Sequence, residues 1–216
     1  MRPLFAQQGV TQCGTPTGQP KFPIETYQEL PDPSSPSDKD WAAVTNPQIS
    51  WGTIDTRYAK HRLPQLKKQQ LTTLKGWRGE RVNAQAVVWT GTEVKDLNFS
   101  FTDFKDKKGN SLLDEAFKAG FIRYVMTDEL NKDGRGACGH RQAVDYDSLL
   151  VADPIDTNLK SMSVPARTVQ PIWVQCWIPQ SATPGTYKGA LLIKDGSRLL
   201  QQLNLEILVS SRELPA

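Results

Sequence analysis

Residues able to do chemistry are sparse in this chain, and their spacing rarely completes a site. The tightest group is Gly136-Ala137-Cys138-Gly139-His140-Arg141, where a thiol and an imidazole two positions apart could ligate a metal or pair as nucleophile and base. Neither chemistry has its remaining parts. Zinc needs two further ligands, none of which stands at a recognisable spacing, and a thiol nucleophile needs an oxyanion hole and a group to orient its base. A Gly-rich loop anchored by hydrogen bonds of His140 and Arg141 is the plainer reading. The carboxylates Asp55, Glu80, Asp103, Asp128, Glu129, Asp145 and Asp147 are candidates for a glycosidase pair, which needs two carboxyl groups about 5 to 10 Å apart across a sugar ring. Asp128 and Glu129 are adjacent on a strand end, so their side chains diverge, and solvated carboxylates or salt bridges account for each of the seven.

Six Trp and five Tyr raise the question of sugar stacking, because aromatic faces pack on pyranose rings. Trp51, Trp77, Trp89, Trp173 and Trp177 fall in or beside predicted strands, where packing is the default, and only Trp41, in a polar arm, lacks that explanation. The chain has no phosphate-cradling glycine loop, nucleophile elbow, His-Glu-x-x-His or Cys-x-x-Cys, and its two histidines are His61 and His140. No cofactor and no metal is expected.

The elements that must position these residues are strands. In residues 170–178 Ile172, Val174, Cys176 and Ile178 point one way and Trp173, Gln175 and Trp177 the other, so the second face is a further buried layer or a contact surface. Residues 185–194 and 199–209 follow as strands, and Asp195-Gly196 predicts the hairpin turn between them. Earlier, residues 49–54 form the first credible strand, and alternation recurs at Val82, Ala84, Ala86 and Val88, at Leu97, Phe99 and Phe101, and over residues 121–127. Residues 111–118, with Ser111 as N-cap and Gly120 beyond the end, predict a short helix, and Ser37 or Asp38 caps one helical turn toward Trp41. Residues 131–165 break the pattern and read as an irregular functional or partner-facing excursion. Residues 1–48, punctuated by Pro, form an extended arm. The fold expected is all-β: an antiparallel two-sheet β-sandwich over residues 49–212 with one short helix, a long irregular N-terminal arm over 1–48, and a linker beginning at 213–216.

Composition narrows the classes of function. A net charge of +3, from 26 basic and 23 acidic residues spread along the chain, does not suit nucleic acid. No apolar run is long enough to span a bilayer. Met1-Arg2-Pro3-Leu4-Phe5-Ala6 could be the tail of a secretory signal, with residues 1–7 as its remnant. Cys13 and Cys138 lie in Gly-flanked loops and could pair in an exported protein, whereas Cys176 reads as a small buried hydrophobe.

The run Gly76-Trp77-Arg78-Gly79-Glu80-Arg81-Val82-Asn83-Ala84-Gln85 resembles the N-terminal β-sandwich domain of glycoside hydrolase family 123 and its relatives from gut Bacteroidetes. The likeness extends to Ser50-Trp51-Gly52-Thr53-Ile54-Asp55-Thr56-Arg57-Tyr58, to Phe121-Ile122-Arg123-Tyr124-Val125, and to residues 170–189 with their Pro184-Gly185-Thr186-Tyr187-Lys188-Gly189. The resemblance implies a non-catalytic accessory domain of a periplasmic or cell-surface enzyme, followed near Leu214-Pro215 by a (β/α)₈-type barrel that hydrolyses N-acetylhexosaminides with help from the substrate's acetamido group. The family's catalytic residues belong to that barrel, so none maps onto this chain. The physical reading of the first motif is an ion-pair network of Arg78, Glu80 and Arg81 at a glycine-shaped bend. The candidate residues for a domain interface or a glycan contact are Trp51, Asp55, Arg57, Tyr58, Trp77, Arg78, Glu80, Arg81, His140, Arg141, Trp173 and Trp177. The expected partners are the barrel and carbohydrate; an independent carbohydrate-binding module is the alternative.

Overall fold

Alternation along one strand sets the layers. In the computed structural model, which describes residues 29–32, 34–127 and 149–215, Ile172, Val174 and Cys176 of the strand Thr168–Trp177 are fully buried, while Trp173, Gln175 and Trp177 face the opposite side. The described elements are α1 (Asp38–Trp41), β1 (Gln48–Gly52), β2 (Leu71–Arg78), β3 (Arg81–Thr90), β4 (Val94–Phe101), β5 (Phe104–Lys105), β6 (Ser111–Leu112), β7 (Phe117–Thr127), β8 (Leu149–Asp156), β9 (Ser161–Val164), β10 (Thr168–Trp177), β11 (Gly185–Asp195) and β12 (Arg198–Glu213). One sheet runs β1-β3-β10-β7-β8, every pair antiparallel. The other runs β2-β12-β11-β4-β9, with the β5–β6 pair attached at β11.

The main core lies between the sheets. Ala86, Val88, Ile172 and Val174 of the first meet Leu97, Leu191, Ile193, Leu203, Leu205 and Ile207 of the second. Each buried Val, Leu or Ile side chain of this group contributes about 1.5–3 kcal/mol. Trp51 of β1 ties the layers together, donating its Nε1–H to the Asn204 carbonyl of β12 at 2.8 Å. The outer face of the first sheet is covered too. Trp41, Val44, Tyr58, Leu63 and Leu66 pack on Val87, Trp89 and Val169, and Ile122, Tyr124, Leu150 and Ala152 form a further cluster with Trp173 against it. α1 is capped as its sequence suggests, the Ser37 hydroxyl accepting from the Asp40 N–H at 3.3 Å.

Four expectations are corrected. Residues 111–118 are not a helix: they form β6, a 3₁₀ turn at Asp114–Ala116 and the start of β7. Packing decides this, since Leu112, Ala116 and Phe117 all enter the core and the Phe117 ring stacks on Phe104 with centroids 4.0 Å apart. The second sheet is not wholly antiparallel, because β2 runs parallel to β12 from Leu71↔Asn204 to Gly76↔Val209. β2 and β3 lie in different sheets, so no hairpin fixes the direction of β2 and its partner is the last strand of the domain. Within residues 131–165, expected to be irregular, β8 and β9 are regular strands; Pro154 hid β8, and a proline is tolerated there because β8 is an edge strand. Finally, Asp195 pairs with Arg198, so the turn between β11 and β12 centres on Gly196 and Ser197, with Gly196 at φ 59°. Glycine at the first central position is what a type II′ turn demands.

Candidate functional site at the strand exit

The candidate residues around Trp77 converge at the end of the sandwich where β12 leaves it. Gly79, at φ 88°, turns the chain from β2 in one sheet to β3 in the other. Its N–H donates to the Ile178 carbonyl at 2.8 Å, and the Ile178 N–H donates to the Glu80 carbonyl at 2.8 Å, stitching the turn to the end of β10. Arg78 is the hub. Its guanidinium pairs with Glu213 at 3.1 Å and donates to the carbonyls of Gln180 at 3.1 Å and Ser211 at 3.5 Å, while its own carbonyl accepts from the Leu214 N–H at 2.8 Å. The departing chain is therefore held on several sides by one residue. The network expected among Arg78, Glu80 and Arg81 does not form. The Glu80 carboxylate curls back to accept from the Trp77 N–H at 2.7 Å, which leaves Arg78 to Glu213 and Arg81 with no carboxylate partner among the described residues.

Trp77 is 37% exposed, and the Arg212 guanidinium lies over its ring, 5.5 Å from the centroid. With Leu208 and Leu214 it lines an open groove of about 650 Å³, to which Lys75 and Glu80 also contribute. The strand alternation explains the exposure: Ile207 and Val209 point into the core, so Leu208 between them points out, opposite Lys75 in the parallel register.

The segment 50–58 is largely internal. Trp51 is 2% exposed and Tyr58 is buried against the arm cluster, while burial raises the Tyr58 hydroxyl's pKa despite hydrogen bonding at Thr53 and Thr56. The Gln85 amide donates to the carbonyls of Thr53 at 2.7 Å and Thr56 at 3.1 Å, fixing the turn that leaves Asp55 exposed. Arg57 pairs with Asp153 at 3.5 Å. The structure does not bring this segment's exposed groups to the Trp77 groove. Trp173 is partly buried in the outer cluster, and Trp177, at 48% exposure, stands opposite Arg81 in the first sheet. Trp41 proves to be a core residue, 3% exposed, with its Nε1–H donated to the His61 carbonyl at 2.9 Å.

His140, Arg141, Cys13, Cys138, Asp128, Glu129, Asp145 and Asp147 lie outside the described residues. Cys176 is fully buried, which pushes its thiol up to about 12 and removes it as a nucleophile. Asp103 is bound to Lys105 at 2.8 Å, a contact that lowers its pKa, and Asp55 is engaged by Thr53 at 3.4 Å. Among the described residues no group of three or more His, Cys, Asp or Glu could hold a metal, and no helix is long and apolar enough to cross a membrane.

One cluster escaped the sequence reading. Glu29, in the arm, accepts from Lys60 at 2.8 Å and Arg123 at 3.0 Å, and Arg123 also reaches Asp156 at 3.5 Å. Desolvation pushes the Glu29 carboxyl up, but the hydrogen bonds and charges of Lys60 and Arg123 together outweigh it and hold the group below the usual glutamate value. Beside it, His61 stands between Asp32 at 3.5 Å and the Arg167 carbonyl at 2.9 Å, and a carbonyl only accepts, so Nδ1 carries a proton. These contacts dock the arm. Nothing in the spacing of Glu29, Lys60 and Arg123 announces them.

The family model for the glycoside hydrolase 123 N-terminal domain matches residues 51–195, most of the chain. The chain belongs to that family. In glycoside hydrolase 123 N-terminal domain terms, the matched span runs from Trp51, the bridge between the sheets, to the β11–β12 turn. A structure of a family 123 glycoside hydrolase from Clostridium perfringens, described as acting on glycolipid glycans, aligns with a TM-score of 0.64 at 18% identity over 79% of this chain. The alignment spans 28% of that structure's length. The likeness establishes the shared fold. A PapD-like domain of human CEP192 aligns over 89% of this chain and 100% of its own at 11% identity with a TM-score of 0.36, too distant to inform function. No curated protein matches the chain. The Pro-Gly-x-Tyr-x-Gly motif of this family member has a structural meaning: Tyr187 is buried and donates its hydroxyl to the Thr183 carbonyl at 2.8 Å, a tyrosine-corner arrangement. Gly189 is required because a Cβ there would sit 2.6 Å from the Phe104 ring.

Proposed function

We propose that this chain is the non-catalytic accessory sandwich of a secreted, N-acetylhexosaminidase-like glycoside hydrolase, and that it packs against a catalytic barrel encoded after it. The observation that carries the reading is the clamped exit. Arg78 binds Ser211, Glu213 and Leu214 together, so a following domain would leave in a fixed direction instead of swinging on a flexible tether. Family membership supports the reading, as does the 28% share of the family 123 structure that the sandwich occupies. The basic and apolar start, Met1 to Ala6, supports export. Sequencing the coding region beyond Ala216 tests the proposal. Alternating strand and helix patterns with an acidic pair would support it, and a stop codon directly after Ala216 would overturn it.

An independent carbohydrate-binding module is a second reading, favoured by the exposure of Trp77 and Trp177. Titration calorimetry of the chain with N-acetylhexosamine oligosaccharides decides it: heat that disappears in Trp77→Ala or Trp177→Ala supports a glycan platform, and no heat at millimolar sugar excludes one.

A further inference from the structure

The groove at the strand exit has a chemistry of its own. Its floor is apolar, made by Trp77, Leu208 and Leu214, all more than a third exposed. Its charges are unbalanced. Of the carboxylates nearby, Glu80 is occupied by the Trp77 N–H and Glu213 by Arg78, whereas Lys75, which lines the groove, and Arg212, which lies over the Trp77 ring, have no carboxylate partner among the described residues. An exposed apolar strip is costly to leave in water, and the cations at its edge favour a partner surface that carries carboxylates. Leu214 belongs both to the groove and to the clamped exit, so the polypeptide that continues from it is delivered to this face at short range, where tethering raises its effective concentration.

We infer that the Trp77–Leu208–Leu214 groove is the seat of the domain that follows, and that the surface seated there is an apolar projection rimmed by Asp or Glu side chains. The inference rests on the accessory-domain reading and names the surface and partner chemistry that the reading leaves open. Trp177, on the outer face of the other sheet, stays exposed in this arrangement.

Hydroxyl-radical footprinting read by mass spectrometry tests it, comparing the intact parent polypeptide with the 216-residue chain. Oxidation of Trp77 is expected to fall about fourfold in the parent, as a side chain 37% exposed becomes fully covered, with Leu208 falling in step and Trp177 unchanged. Leu208→Glu and, separately, Lys75→Glu in the parent should restore the Trp77 rate of the free chain, while Lys118→Glu, an exposed position on β7 of the opposite sheet, should not. Protection of Trp177 with none at Trp77 would overturn the groove as the seat and leave the accessory reading standing. Protection at neither would likewise overturn the groove as the seat, and the accessory reading would fall only if no residue of the chain were protected in the parent. Protection of Trp77 that survives Lys75→Glu would overturn the acid-rimmed partner.

Discussion

Replacing Trp51 by Phe separates a structural role from a ligand-binding one. The indole is 2% exposed and bridges the sheets through its 2.8 Å hydrogen bond to the Asn204 carbonyl. Phenylalanine keeps most of the apolar volume and loses the donor. Because Asn204 lies at an exposed position where water can replace the lost donor, the missing hydrogen bond costs about 0.5–1.5 kcal/mol. The space vacated by the smaller ring adds on the order of 1 kcal/mol, at roughly 24 cal/mol per Å³ of cavity. The sum is about 1.5–2.5 kcal/mol, which for a domain of this size lowers the melting temperature by about 3–10 °C. Urea unfolding followed by tryptophan fluorescence and far-UV circular dichroism measures it: the midpoint should fall with an unchanged slope. Trp177→Phe, at an exposed position, should stay within about 0.5 kcal/mol of the parent sequence. A Trp51→Phe variant equally close to wild type would refute the inter-sheet bridge and return the 50–58 motif to the candidates for ligand contact.

The remaining expectations concern the arm, the exit turn and the thiol. The Glu29 carboxyl is held below its ordinary 4.5, so its stabilising contribution is full above that value and is lost as pH falls through the folded-state value. Glu29→Gln should therefore destabilise the protein near neutral pH by on the order of 1–2 kcal/mol, and chemical denaturation at decreasing pH should show the gap from wild type closing in the acid range. Gly79→Ala forces an alanine to φ 88° and crowds its Cβ against Gln180 at 3.3 Å; unfolding should register about 1–2 kcal/mol, with faster proteolysis at Arg212 as the exit loosens. The Cys176 thiol, pushed up to about 12 by burial, should resist alkylation at mildly alkaline pH in the native chain and react once urea unfolds it, as peptide mapping would show.

Much of the fold is written locally. The two faces of β10, the hairpin of β11 and β12 and the Ser37 cap all follow from period, turn chemistry and capping, because each is decided by neighbours in sequence. Residues 111–118 failed because Leu112, Ala116 and Phe117 have a spacing that suits a helix face equally well, and only the distant rings of Phe101 and Phe104 choose the extended form. The parallel pairing of β2 with β12 joins residues more than a hundred positions apart and leaves no local trace. The site divides in the same way. Trp77 to Arg81 carried a recognisable motif, yet its true partners, Gln180, Ser211 and Glu213, were visible only once the last strand was in place. Trp41 and Trp51 are aromatic for packing, a role that composition does not distinguish from sugar stacking.

The central claim is that the chemistry of the parent enzyme lies outside this sandwich. Equimolar samples of the 216-residue chain and of the full-length parent, each incubated with a chromogenic aryl N-acetylhexosaminide, test it directly. Release of the aryl group by the parent and none by the chain is the expected result. Steady release by the purified chain, proportional to its concentration, would contradict it.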